Sequence, residues 1–328
     1  MGDGRLGEFA GLSREELQSE VRRLKAERGA IVLAHNYQVR EVQEVADRLG
    51  DSLKLAREAV RTDARLIVLC GVMFMAESAK ILNPDRKVII PALTAGCPMA
   101  DMITVEQLRG FKAAHPGVPV VCYVNTSAAV KAESDVCCTS SNAVTVVNAL
   151  DAEAVLFVPD RNLAAYVASK TDKTVIPWRG HCYVHNQFTP EDVELARREH
   201  PGVPIVVHPE CPPEVVEAAD HVASTDGMVR LAATRDELVV GTEIGLIDML
   251  NRVNPSKRFH ALSPFAVCRN MKETTLPKLV LALEREQHEV VVPAGVLEGA
   301  GGALRRMLEL SGEERAGGAV PGTGGGAA

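Results

Sequence analysis

Short apolar runs alternate along this chain with longer stretches whose apolar positions recur at helical spacing. The runs at 30–34, 66–69, 88–91, 118–124, 154–158, 175–177, 203–207 and 238–240 read as buried strands. Between them, residues 40–49, 52–61, 161–169, 190–199 and 244–252 read as amphipathic helices. This alternation is the pattern of parallel α/β architecture, where helices cover both faces of a sheet. Ahead of the first strand, Ser13-Arg14-Glu15-Glu16 is a capping-box pattern that opens a helix running to about Arg28. Behind the last unit, 276–287 reads as a helix, 288–293 as a strand and 303–310 as a helix, with the Gly- and Ala-rich 311–328 disordered by composition.

The same pattern recurs three times. Three strands end in a polar cluster: His35-Asn36-Tyr37, Tyr123-Val124-Asn125 and His208-Pro209-Glu210. A hydroxyl residue follows at a constant 17 positions, from His35 to Ser52, Tyr123 to Ser140 and His208 to Thr225. Each hydroxyl is expected to cap the next helix. A further strand, helix and strand then lead to a cysteine, 45, 42 and 43 residues past the hydroxyl, at Cys97, Cys182 and Cys268. Such a register predicts one supersecondary unit written three times. The expected fold is three three-layer α/β/α domains with parallel sheets around a pseudo-threefold axis. Their expected bounds are 1–106, 107–190 and 191–274, with 275–310 packing back on the first. Ligands of parallel sheets lie beyond the carboxyl ends of the strands, where helix N-termini attract anions. Three such rims facing one axis make one site at the centre, not three.

Composition narrows the function. The chain of 328 residues is 46% hydrophobic, with a formal net charge of −7. That balance, without basic clusters, argues against a nucleic-acid surface. The first residues have no apolar segment of the signal-peptide kind, and no apolar stretch is long enough to span a bilayer. Eight cysteines without such a signal suggest a reducing, cytoplasmic compartment, where thiols serve metals or catalysis more often than disulfides.

Thiolates from Cys97, Cys182 and Cys268 suit zinc or an iron–sulfur cluster, although a buried cysteine is often only a small hydrophobe. Repeat register favours ligation, because packing alone does not require it. A cubane with three thiolate ligands keeps one iron open as a Lewis acid for a hydroxy or carboxylate substrate. Ser52, Ser140 and Thr225 sit where helix N-termini meet an anion, and ordinary capping would place them there too. His35, Tyr37, His185, His208 and Glu210 supply acids and bases. Cys70, Cys122, Cys137, Cys138 and Cys211 do not recur by repeat.

A family resemblance rests on AHNYQ (34–38), GDS (50–52), AGCPMADM (95–102), the run YVNTSAAVKAESDVCCTSSNA (123–143), PDRNLA (159–164), GHCYVH (180–185), HPEC (208–211) and STDGM (224–228). From about residue 28 to about 310 the chain resembles the quinolinate synthases. The resemblance implies a [4Fe-4S] cluster on Cys97, Cys182 and Cys268. It also implies condensation of iminoaspartate (iminosuccinate) with dihydroxyacetone phosphate to quinolinate, phosphate and two waters, within NAD biosynthesis. It places His35, Ser52, Tyr123, Asn125, Ser140, His208, Glu210 and Thr225 on substrate, with Tyr37, Glu210 and His185 as acid/base residues. A separate aspartate-oxidising enzyme would supply the iminoaspartate. Some members carry CxxCxxC at the third ligand, whereas Cys268-Arg269-Asn270-Met271 has one cysteine, so switching through extra thiols is not expected. Other readings are a different iron–sulfur hydro-lyase, an iron–sulfur sensor or electron carrier, and a zinc scaffold.

Overall fold

A computed structural model describes residues 6–9 and 11–312. Three four-stranded parallel sheets follow one another along the chain. The first comprises β1 (Ala30–His35), β2 (Arg48–Gly50), β3 (Leu66–Cys70) and β4 (Lys87–Ile89), in the order β2-β1-β3-β4. The second comprises β5 (Val120–Tyr123), β6 (Val136–Cys138), β7 (Ala154–Val158) and β8 (Thr174–Pro177), ordered β6-β5-β7-β8. The third comprises β9 (Ile205–Val207), β10 (His221–Val222), β11 (Glu237–Gly241) and β12 (Arg258–Ala261), ordered β10-β9-β11-β12. Three identical strand orders confirm the repeated α/β/α reading. In each sheet the chain steps outward from its first strand to the second, then returns across it to the third. That reversal opens a crevice at the carboxyl end of the first strand. His35 and Tyr123 end β1 and β5, and His208 follows β9 directly.

One continuous core runs through all three units, joining Leu33 and Ile67 of the first, Val121 and Phe157 of the second and Val206 and Leu238 of the third. Burial on both sheet faces explains why these strands are unbroken apolar runs. A second core lies beneath the helices Arg14–Arg28 and Leu276–Arg285, which pack on each other over the outer face of the first sheet. The Ser13 capping box opens the first of these helices, and Gly29 ends it with a φ of 57°.

The structure departs from the sequence reading at several elements. Residues 40–49 hold only the short helix Arg40–Gln43, followed by β2. β2, β6 and β10 have three, three and two residues, too few to carry a period of two. Residues 288–293 form no strand: His288 has a φ of 63°, and the segment makes one antiparallel bridge, Ile89 to Glu289. The last helix starts at Ala294 rather than 303 and reaches Leu310. Its glycines hid it, and Gly299 has a reason: a Cβ there would lie 2.7 Å from the Ala132 carbonyl oxygen. This helix packs on Ala128–Ala132 and β6 of the second unit as well as on Met73–Leu82 of the first. Of the tail expected to be disordered, Ser311 and Gly312 close this helix and the rest lies outside the described residues.

One further repeat holds the sheets. Asp47, Asp135 and Asp220, each just ahead of or at the entry to the second strand, accept a hydrogen bond from the backbone N–H of Val32, Val120 and Ile205 at 2.8, 2.7 and 2.8 Å. Each also donates its own backbone N–H to the carbonyl of that same residue. An aspartate thus locks the start of a two- or three-residue edge strand that has few ladder bonds of its own.

Candidate active site

Every residue singled out for a site lines one cavity. His35, Tyr37, Ser52, Cys97, Tyr123, Asn125, Ser140, Cys182, His185, His208, Glu210, Thr225 and Cys268 surround an internal volume of about 740 Å³ including its mouth. The three rims therefore meet, as the repeat register requires. Cys70, Cys122, Cys137, Cys138 and Cys211 are buried and do not line it.

The hydroxyls are not the caps they were expected to be. Ser52 and Thr225 are the first helical residues, capped by Asp51 and Ser224, and Ser140 lies two residues before the cap Asn142. Asp51 and Ser224 accept the helix N–H groups of Lys54 and Gly227, which leaves Ser52 and Thr225 to face the cavity. Ser140 faces it from the turn ahead of its helix, where Asn142 accepts the Thr139 N–H instead. The capping regions also join at the axis. The Ser141 hydroxyl contacts Asp51 Oδ2 at 2.5 Å and Ser224 Oγ at 2.8 Å, linking all three units.

His35 and His208 are set the same way. Each Nδ1 accepts the backbone N–H two residues on, from Tyr37 at 3.1 Å and Glu210 at 3.3 Å. A neutral ring held so carries its proton on Nε2. Burial pushes both imidazoles down to about 3, so both are neutral donors near pH 7.

A buried polar chain crosses the cavity wall. The Tyr37 hydroxyl meets Thr242 Oγ1 at 2.6 Å and His185 Nε2 at 3.4 Å, and Thr242 also meets His185 Nε2 at 2.9 Å. His185 Nδ1 lies 2.5 Å from Glu210 Oε2, while Tyr123 donates its hydroxyl to Glu210 Oε1. His208 stacks on His185 with ring centroids 4.3 Å apart. Burial alone would raise Glu210, but His208, His185 and the Tyr123 hydroxyl outweigh it and hold the carboxyl at about 2. Burial, reinforced by the Glu210 charge, raises Tyr37 and Tyr123 well above the usual phenol range. The site thus pairs an anionic base with protonated phenols.

The three thiols share a local geometry. Cys97, Cys182 and Cys268 are partly exposed to the cavity, and burial raises all three, Cys97 to about 12. In each, a backbone N–H three residues on works the other way: Ala100, His185 and Met271. Backbone groups that favour the thiolate in the same register three times suit metal-bound sulfur. Two buried carboxylates support the set. Asp160 accepts the Cys182 backbone N–H and Glu243 that of Cys268, each at 3.1 Å. Both cap the helix after the third strand of their sheet, where the first unit has Val72. Lys272 pairs with Glu243 at 2.9 Å and reaches the Tyr37 carbonyl at 2.5 Å.

Motif spacing did not reveal Thr242, Asp51, Asp160 or Glu243. Asp160 and Glu243 had a signal, since each precedes its cysteine by 22 or 25 residues and follows a strand-like run. Thr242 had none, because its partners come from the first and second units.

Three internal repeats that pool their strand ends into one buried cavity, with three thiols and an acid/base chain on its wall, define a single-site α/β enzyme. Comparison with known proteins gives the particular family. The quinolinate synthetase A protein family, NadA, matches residues 19–309. The quinolinate synthase of Alkaliphilus metalliredigens is 53% identical over 294 residues, covering 89% of this chain and 97% of that protein. Those of Methanoregula boonei and Thermococcus onnurineus are 54% and 52% identical over 90% of this chain, covering 98% and 99% of their own lengths. This chain belongs to the quinolinate synthase family.

Proposed function

We propose that this enzyme condenses iminoaspartate with dihydroxyacetone phosphate to give quinolinate, inorganic phosphate and two waters, within NAD biosynthesis. The observation that carries the reading is the meeting of three repeat-register cysteines and three strand-end polar clusters in one cavity. Cys97, Cys182 and Cys268 would hold a [4Fe-4S] cluster, and three thiols lining one cavity, each with a backbone group that favours its thiolate, fit one. When bound, such a cluster with three protein ligands supplies an open iron as a Lewis acid toward substrate oxygen.

The remaining chemistry belongs to side chains. The Nε2–H groups of His35 and His208 donate to substrate carboxylates, as do Ser52, Ser140, Thr225 and Asn125, with the helix N-termini behind them. The same donors cradle the phosphate that must leave. Glu210, anionic throughout the working range, takes a proton from substrate at Oε1 or Oε2. Tyr37, held protonated, gives one from its hydroxyl to a departing oxygen. His185, bridging Tyr37 and Glu210, lets the proton taken at one end restore the acid at the other. Tyr123 orients Glu210 and closes the wall.

The units at 1–106, 107–190 and 191–274 belong to the same proposal, with 275–310 returning to the first through the helix Leu276–Arg285 and joining it to the second through Ala294–Leu310. So does a cytoplasmic setting, supported by eight unpaired cysteines, and functional coupling to an aspartate-oxidising enzyme. Among the described residues no helix is long and apolar enough to cross a membrane.

Anaerobic purification with iron, sulfide and visible-absorption analysis tests the reading, followed by assay with both substrates. About four iron and four sulfide per chain, with quinolinate formed, is the expected outcome. Cys97→Ala, Cys182→Ala and Cys268→Ala should each lose chromophore and activity, whereas Cys122→Ala keeps both. Zinc without iron, or a full cluster surviving any of the first three changes, would overturn it.

A further inference from the structure

Among the described residues, one other group of three side chains offers metal-ligating atoms at close range: His200, Glu237 and His260, with ligand atoms all within 4.8 Å of one another. They come from three elements. His200 caps the carboxyl end of the helix Pro190–Glu199, Glu237 opens β11, and His260 lies in β12 opposite Val239. Since Glu237 and Val239 are two apart on one strand, Glu237 and His260 project from the same sheet face. His260 Nε2 lies 2.7 Å from Glu237 Oε1, and the His200 and His260 rings stack with centroids 3.9 Å apart. The cluster sits at the amino end of β11, whereas Cys268 follows the carboxyl end of β12, so it is on the opposite rim from the cavity.

We propose that His200, Glu237 and His260 form a zinc-type divalent-metal site that fastens the edge strand β12 and the end of the helix Pro190–Glu199 to β11. Two imidazoles and one carboxylate are a donor set for zinc and similar borderline cations. Ligand atoms of a tetrahedral zinc stand roughly 3.4 Å apart, given bonds of about 2.0–2.1 Å. The ligand atoms lie within 4.8 Å of one another, and metal binding requires the stacked imidazoles of His200 and His260 to turn until their in-plane lone pairs converge, a rotation open to partly exposed side chains. Water can fill the open position, because the cluster is partly exposed.

The chain carries its own control. The five residues His-Pro-Gly-Val-Pro occur at 115–119 and again at 200–204, in the same place in the second and third units. In the second unit His115 turns onto its own helix, with Nδ1 3.0 Å from the Phe111 carbonyl and its ring edge-on to Phe111. By ladder register the places of Glu237 and His260 are held there by Ala154 and Ile176. A turn that needs the histidine only for folding is served by the second unit's arrangement. The third unit adds two metal-ligating side chains on two strands to the same histidine, which packing alone does not ask for.

The test uses anaerobically prepared holoenzyme, whose three cavity cysteines are occupied, stripped of loose metal with a chelator and titrated with zinc against a chromophoric competitor. One zinc per chain beyond the cluster iron is expected, with a thermal midpoint that rises on zinc addition. His260→Ala and His200→Ala should weaken that zinc at least tenfold and abolish the rise, while His115→Ala leaves both unchanged. Glu237→Gln, which keeps shape, serves if a histidine variant misfolds by circular dichroism, and it too should weaken the zinc. Absence of a retained zinc, or equal affinity in His260→Ala, overturns the proposal. So does a zinc that survives His260→Ala but is lost in Cys97→Ala, since it would belong to the cavity thiols.

Discussion

Replacing Glu210 by glutamine separates charge from shape at the centre of the acid/base chain. The wild-type carboxylate receives the Tyr123 hydroxyl on one oxygen and His185 Nδ1 on the other, the latter at 2.5 Å, with the residue 3% exposed. Hydrogen bonds to a charged group contribute about 1.5–3 kcal/mol each, against about 0.5–1.5 for neutral pairs. Neutralising Glu210 therefore forfeits roughly 2–3 kcal/mol over the two contacts. Against this, the variant no longer keeps an ionised group out of water, a cost of similar size. The amide oxygen can still accept from Tyr123, and its NH2 can donate to His185 once the ring proton moves to Nε2, facing Thr242. Net stability should change by no more than about 1 kcal/mol. Catalysis has no such compensation. Loss of a positioned general base lowers turnover about 10²–10⁴-fold, roughly 3–5 kcal/mol of barrier. The assay is kcat with both substrates, read beside iron content and a urea midpoint. Full cluster, near-native stability and turnover within threefold of wild type would refute the role of Glu210. Its pKa of about 2 carries a second consequence: no activity limb in wild type between pH 5 and 8 should belong to Glu210.

Thr242→Val keeps volume but removes the hydroxyl that touches both Tyr37 and His185, leaving Tyr37 with the 3.4 Å contact alone. It should cost about 1–3 kcal/mol in urea unfolding and lower kcat more than it raises KM; unchanged kcat would remove Thr242 from the chain. Asp135→Asn should destabilise by about 1 kcal/mol, because an amide is a weaker acceptor for the Val120 N–H, with no change in kcat. For His35, the folded ring titrates at about 3 and the unfolded ring near 6.5. The unfolded state thus binds the proton first, and stability is lost as pH falls from about 6.5 toward 3. His35→Gln removes that contribution, so between pH 7 and pH 5 it should lose about 2 kcal/mol less than wild type. Parallel losses in the two proteins would show that His35 is not the buried neutral group described.

The parts legible in the sequence were those that repeat or that are long enough to show a period. Apolar runs such as Leu66–Cys70 and Ala154–Val158 mark strands covered on both faces, and constant spacing from strand end to hydroxyl to cysteine marked one unit written three times. The register was enough to say that three rims share a centre. The motifs then tied that centre to the quinolinate synthases. Weaker local signals failed for identifiable reasons. β2, β6 and β10 are held by an aspartate clamp and two or three ladder pairs, and glycines masked the first turns of the helix Ala294–Leu310.

Tertiary structure alone decided which side chains meet. Tyr37 and Thr242 are 205 residues apart and Tyr123 and Glu210 are 87 apart, so no local pattern encodes either contact. The protonation states follow from those contacts and from burial: neutral His35 and His208, anionic Glu210 and protonated Tyr37. Free energies of ionisation depend on what surrounds a group, not on its place in the chain. The hydroxyls show the same division. Their spacing put Ser52, Ser140 and Thr225 near helix starts, but only the folded chain shows that Asp51, Asn142 and Ser224 occupy the cap positions, leaving the three hydroxyls facing the cavity.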